Sequence, residues 1–190
     1  MPELLLASAS PRRRELLGQL GVPFRIVPAE VTEHEAPDAD PREMVRHNAA
    51  LKAEWVSARH PDDFVLGADT TVFVDRTVLN KPRDAAEARA MLRLLSGRTH
   101  TVFTGLAIRR GTNALKLDGG AASDVTFKTF DDTTIERYLS LVHTLDKAGG
   151  YAIQEHGDLI VERFTGSLSN IVGLPLDETK QLLTLAGLTR

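Results

Sequence analysis

The spacing of apolar positions changes several times along the chain. Leu4-Leu5-Leu6-Ala7 is an unbroken apolar run, and it predicts a buried strand over 3–7. Leu16, Leu17 and Leu20 fall on one helical face, so 11–20 reads as a helix, with Ser10 as the N-cap and Pro11 at the first position. Gly21 followed by Val22-Pro23 stops it, with glycine in the left-handed position. A short strand follows at Phe24-Arg25-Ile26-Val27, then an acidic, proline-containing loop over 28–40. Helical spacing returns over 41–59, with Asp40 as the N-cap and Pro41 at the first position.

Beyond that helix the period shortens again. Phe64 to Ala68 reads as a strand ending at Asp69, and Thr71–Val74 with Thr77–Leu79 as a hairpin around Asp75-Arg76. A helix is expected over 84–95, capped by Asp84. Two long strands, 99–109 and 114–129, flank Gly111-Thr112-Asn113. Helices are expected at 132–142 and 175–186, and a strand at 157–165. Strands and helices therefore alternate, which gives an α/β class with some antiparallel pairing.

Composition narrows the chemistry. With 190 residues, 42% hydrophobic and 26% charged, the chain can bury a real core as one domain or two small lobes. A net charge of −3 argues against a broad nucleic-acid or anionic-membrane surface. No cysteine is present, which excludes disulfides, thiolate catalysis and Cys-zinc sites, and fits a reducing cytoplasm. The Leu4–Ala7 run is too short for a secretory signal, and no stretch is apolar enough to span a membrane, so a cytoplasmic location is expected. The six histidines lack metal-ligand spacing, and Ser167 and Ser169 lack a G-x-S-x-G context.

One stretch breaks a rule of helix electrostatics. Ser8-Ala9-Ser10-Pro11-Arg12-Arg13-Arg14 puts three arginines into the first helical turn, where the backbone already carries positive partial charge. A bound anion resolves the conflict: free backbone N–H groups, the Ser8 and Ser10 hydroxyls and arginine forks converge on a phosphate. The plain alternative is that the arginines are solvated and tolerated. No Walker sequence occurs.

Further residues fit the same chemistry, each with a plainer alternative. Lys52 shares a helix face with Val45, Ala49 and Val56, so it either snorkels to the edge or points into a site. Asp69 in Gly67-Ala68-Asp69-Thr70-Thr71 is a metal ligand or general base at a strand end, or a turn aspartate. Lys81 in Asn80-Lys81-Pro82-Arg83-Asp84 clamps a phosphate or is a solvated loop lysine. Glu33, with Glu35 nearby, could complete a Mg²⁺ site of carboxylates and waters; for Glu35 plain solvation is the better reading. Together these residues suit metal-assisted attack of water on a phosphate ester or anhydride.

Motifs from residue 4 to residue 176 resemble, in order, the Maf family of nucleoside triphosphate pyrophosphatases, also called septum-formation-inhibitor-like proteins. They are Leu6-Ala7-Ser8-Ala9-Ser10-Pro11-Arg12-Arg13, Lys52-Ala53, Gly67-Ala68-Asp69-Thr70, Lys81-Pro82-Arg83-Asp84, Leu95-Ser96-Gly97, Asp146-Lys147-Ala148-Gly149, Gly150-Tyr151-Ala152-Ile153-Gln154, and Gly166-Ser167 to Val172-Gly173-Leu174-Pro175. The resemblance implies a mixed twisted sheet with flanking helices, two lobes around a cleft, as in the inosine-triphosphate pyrophosphatase-like fold. It implies one such domain over 1–190, a nucleoside triphosphate as substrate, Mg²⁺ or Mn²⁺ as cofactor, and a homodimer.

Carried over by position, the family's roles make Asp69 the catalytic proton acceptor and metal-binding carboxylate. Ser8, Arg13, Lys52 and Lys81 hold phosphates, and Glu33 assists metal or water. The stretch Gly150–Gln154 resembles the branch acting on dTTP and UTP, with Arg12, Thr70 and Gln154 at the positions associated with base choice. A glutamine amide offers both a donor and an acceptor to a pyrimidine edge. Glu155 and Leu168 depart from the usual pattern, which has glycine and an aromatic there. Two other readings stay open: the 7-methylguanosine triphosphate branch, and a nucleotide-binding regulator of septum formation with little catalytic role.

Overall fold

A computed structural model describes residues 2–34 and 40–189. Seven strands and six α-helices alternate along the chain: β1 (Leu4–Leu6), α1 (Pro11–Gly18), β2 (Phe24–Ile26), α2 (Pro41–Ser57), β3 (Phe64–Val74), β4 (Thr77–Leu79), α3 (Ala85–Leu95), β5 (Thr99–Arg110), β6 (Leu115–Phe127), α4 (Asp132–Leu141), β7 (Val161–Thr165), α5 (Leu168–Val172) and α6 (Leu176–Leu185). Short 3-10 turns lie at Ala148–Gly150 and Gly157–Leu159. The strand order is β2-β1-β3-β5-β6-β7, with β4 paired to β3. β1 pairs in parallel with β2 and β3, while β3–β4 and β6–β7 are antiparallel, so the sheet is mixed as expected.

The chain divides into two compact units. One comprises Met1–Thr70, Thr104–Ala121 and Gly173–Arg190; the other comprises Thr71–Phe103 and Ala122–Val172. In the first, Leu5, Ala7, Ala49, Ala53, Val56, Val65 and Ala107 form a core of mostly small residues. Small side chains there follow from close packing of α2. A Cβ on Gly67 would lie 2.2 Å from the Ala49 carbonyl oxygen and 2.9 Å from the Ala53 nitrogen. A Cβ on Gly105 would meet the Arg46 backbone at 3.0 Å. Two strand glycines thus let the helix backbone rest almost directly on β3 and β5.

The second unit has a larger-grained core, including Leu92, Leu95, Phe127, Ile135, Tyr138, Tyr151 and Ile160. Two polar ties run through it. The Tyr138 hydroxyl donates to the Ala152 carbonyl and accepts from the Ala152 N–H, both at 3.0 Å. His100 Nε2 lies 2.8 Å from the Tyr151 hydroxyl, and burial pushes the imidazole pKa down to about 4, which keeps it neutral. These ties pin the segment leading to Gln154. Just before it, Gly149 and Gly150 turn the chain with φ of 73° and 69°.

Most expected elements are present, and the expected caps Ser10, Asp40 and Asp84 each accept a backbone N–H at a helix start, as Asp131 also does at α4. Three expectations need correction. α1 ends at Gly18 rather than Leu20, because Gln19, Leu20 and Gly21 donate to residues three back, tightening the last turn. β3 runs on to Val74, so Asp69 stands in mid-strand rather than at a strand end. The β-branched run Thr70-Thr71-Val72 continues the ladder and pairs its end with β4. The strand expected over 157–165 begins only at Val161, the first β7 residue paired with β6, since Gly157–Leu159 coil into a 3-10 turn. The helix α5 had no strong apolar spacing to announce it.

The glycine contact makes a stability prediction. Gly67→Ala is expected to cost about 3 kcal/mol or more, since rigid backbone must move. Gly18→Ala, with open space around it, is expected to be neutral or to stabilise by about 0.5 kcal/mol. Urea unfolding of the two variants checks both; an equal response would contradict the close-packing account.

Candidate active site

The first unit brings together six of the residues singled out in the sequence. Asp69 on β3 is buried, and its strand face is that of Gly67, toward α2. Lys52 is a buried polar member of the α2 stripe, and its side chain is only 10% exposed. It does not snorkel. Its ammonium sits 2.8 Å from Asp69 Oδ1 and 2.8 Å from Glu33 Oε1, bridging the two carboxylates. Asn48, one helical turn earlier, donates from Nδ2 to Asp69 Oδ2 at 3.2 Å. Both Asp69 oxygens are thus held in place. Glu33 comes from the loop before α2 and is 45% exposed, so this end of the cluster opens to water. Glu35 lies outside the described residues.

The conflict at the start of α1 resolves in the same place. The Arg13 side chain folds back over the Ser8–Ser10 loop. Its Nε donates to the Gly173 carbonyl at 2.9 Å, Nη1 to the Ser8 hydroxyl at 3.3 Å, and Nη2 to the Thr70 hydroxyl at 3.0 Å. Thr70 Oγ1 is also 2.9 Å from Thr104 Oγ1. Burial lowers the Arg13 pKa, and the charges of Asp69 and Glu33 pull it back upward, so the cation is partly compensated from within the fold. A guanidinium has five N–H donors. Three are used in these bonds, and among the described residues two remain to meet an anion. Ser8 Oγ also accepts the Ser10 N–H at 3.2 Å, and Ser10 Oγ accepts the Arg13 N–H at 3.4 Å. Arg12 is partly exposed and Arg14 is exposed at the helix surface.

Lys81 and Gln154 belong to the second unit, and both are exposed. Lys81 follows Asn80, whose carbonyl accepts the Gly149 N–H at 3.3 Å, so its loop is tied to the glycine pair. Lys147, in a matched motif but given no role from sequence, is buried. It donates to the His143 carbonyl and to Asp146, and stands 3.6 Å from Glu155. Sequence reading also passed over Asn48, Thr104 and the Gly173 carbonyl. Only Asn48 left a signal: it is a second polar residue on the apolar face of α2, four positions before Lys52.

Among the described residues no three Asp, Glu or His side chains are gathered for a metal, and no helix is long and apolar enough to cross a membrane. The arrangement is a buried carboxylate held by a cation and an amide, a second carboxylate open to water, and an arginine with unused donors. Those are the parts needed to receive a charged phosphate chain and orient a water.

The fold resembles that of the solved structure of the Staphylococcus aureus Ham1 protein. The two match with a TM-score of 0.51 over 97% of this chain and 98% of that one, at 12% identity, which is a likeness of fold alone. The sequence is more specific. The pattern of the family described as Maf-like protein matches residues 3–186, and the chain belongs to that family. It is 45% identical to a dTTP/UTP pyrophosphatase of Akkermansia muciniphila, covering 98% of both chains. It is 50% identical to one of Anaeromyxobacter dehalogenans (98% of this chain, 95% of that one) and 44% identical to one of Deinococcus radiodurans (99% and 95%).

The bridging lysine yields a test by stability. Lys52→Met leaves two carboxylates facing each other and is expected to cost about 3 kcal/mol. Adding Asp69→Asn should restore more than half of that loss. A double variant no more stable than Lys52→Met alone would contradict a direct Lys52–Asp69 interaction; denaturant midpoints decide.

Proposed function

We propose that this protein hydrolyses nucleoside triphosphates, dTTP and UTP first among them, to the monophosphate and pyrophosphate, a house-cleaning reaction in the cytoplasm. The observation that carries the reading is Asp69, buried and fixed through both oxygens beside Lys52, with Glu33 open to solvent. The full-length likeness to dTTP/UTP pyrophosphatases supports the reaction and the bases.

In this reading Arg13 and Ser8 receive the triphosphate at the start of α1, and Lys52 and Lys81 add positive charge against the pyrophosphate that leaves. Thr70 orients Arg13 through its hydroxyl. Asp69 accepts a proton from the attacking water. Arg12 and Gln154 select the base, the Gln154 amide presenting a donor and an acceptor to a pyrimidine. The donor set suits a divalent cation: Asp69 and Glu33 offer hard carboxylate oxygens, and Mg²⁺ is commonly held by one or two carboxylates together with substrate phosphates. Mg²⁺ or Mn²⁺ held there would supply Lewis-acid stabilisation of charge on the phosphate oxygens.

A nucleotide panel with Mg²⁺ or Mn²⁺, scored for pyrophosphate against orthophosphate, tests this. Release of pyrophosphate from dTTP and UTP is expected, and Asp69→Asn should lower kcat by about 100-fold or more. Faster turnover of 7-methylguanosine triphosphate than of UTP would move the chain to the other branch. A folded protein that releases no pyrophosphate from any nucleotide would overturn the reading in favour of nucleotide binding alone.

A further inference from the structure

Asn48 joins Asp69 to the segment that carries Glu33. Its side chain is buried, 2% exposed, in the second turn of α2. Oδ1 accepts the His34 N–H at 2.7 Å, and Nδ2 donates to the His34 carbonyl at 3.1 Å. The amide thus pairs with the backbone of one residue in both directions, as a neighbouring strand would. The same Nδ2 donates to Asp69 Oδ2 at 3.2 Å. The partners dictate the amide's orientation: a backbone N–H needs the oxygen, and a carbonyl with a carboxylate needs the nitrogen. His34 directly follows Glu33, on a segment outside helix and strand. A ring contact of His34 with His47, 5.7 Å between centroids, adds a second hold on that segment.

We infer that Asn48 is a positioning residue for the reaction, a clasp that sets the spacing of Glu33 from Asp69 by tying the Glu33 loop to the catalytic carboxylate. Lys52 cannot do this alone. An ammonium on a flexible stem attracts both carboxylates but imposes no direction on them. The planar amide fixes the loop backbone and one oxygen of Asp69 together. With its polar atoms bonded to His34 and Asp69, it acts through the two acids. The inference rests on the proposed pyrophosphatase reading, and its test is built so that the two fail separately.

Two variants are compared with the parent protein: Asn48→Leu, which removes every polar bond, and Asn48→Asp, which keeps an acceptor for the His34 N–H but loses both donors. Circular dichroism and melting establish that each is folded, and Asn48→Asp carries the test if Asn48→Leu is not. The first readout needs no substrate. Amide exchange at His34 should speed by about tenfold or more in Asn48→Leu and less in Asn48→Asp, with Val65 and Leu66 unchanged. The second readout is kinetic. Either variant should lower kcat by about 10–100-fold with little change in nucleotide KM. Combined with Glu33→Gln, it should add little further loss, because both changes disable the same carboxylate. Unchanged exchange at His34 in Asn48→Leu (in Asn48→Asp, unchanged kcat), or losses that multiply fully with Glu33→Gln, would overturn the clasp. An inactive parent would instead sink the pyrophosphatase reading, and exchange at His34 would still decide whether Asn48 holds the loop.

Discussion

The candidate site depends on how closely one helix approaches one strand. Gly67 lets α2 lie on β3 with helix backbone where a side chain would otherwise stand. At that separation the medium-length Asn48 and the long Lys52, one turn apart on the same face, both end at Asp69. The small residues Ala49 and Ala53 fill the rest of the contact. A larger residue at any of these points would push the helix out and carry Asn48 and Lys52 away from Asp69. Packing and chemistry are therefore one constraint here, since the feature that closes the core also sets the distance between opposite charges.

The charges in the cluster make sense only as a set. A single buried charge is costly, and a buried pair of opposite charges much less so. Bridging puts each in the field of the other, and exposure of Glu33 leaves one side of the bridge open to solvent. Arg13 repeats the theme. Its position at a helix N-terminus is unfavourable on dipole grounds, yet the Gly173 carbonyl and two hydroxyls accept its donors, and Asp69 and Glu33 lend their charge. Among the described residues two Arg13 donors stay unused, a condition that favours an incoming polyanion.

Much of this was legible in the sequence because it rests on local signals. Asp40, Asp84 and Ser10 announced three helix starts, and the Asp75-Arg76 turn announced a hairpin. The arginine run stood out because it broke a rule of helix electrostatics without local compensation. What was not legible depends on tertiary contact. Asp69 read as a strand end because Thr70-Thr71 suits both a turn and a ladder, and pairing decided for the ladder. Lys52 was open between two readings until Glu33, distant in sequence, closed the choice. The Gly173 carbonyl is backbone, and no residue type could mark it as the anchor for Arg13.

In the proposed reaction Asp69 directs a water onto the phosphate chain so that pyrophosphate leaves. Turnover of dTTP in ¹⁸O-labelled water, with each product analysed by mass spectrometry, tests it most directly. Label confined to thymidine monophosphate is the predicted result, with water attacking the α-phosphorus and the cations holding the departing pyrophosphate. Label in the pyrophosphate would contradict it, placing the attack at the β-phosphorus and the acidic cluster against the wrong part of the substrate.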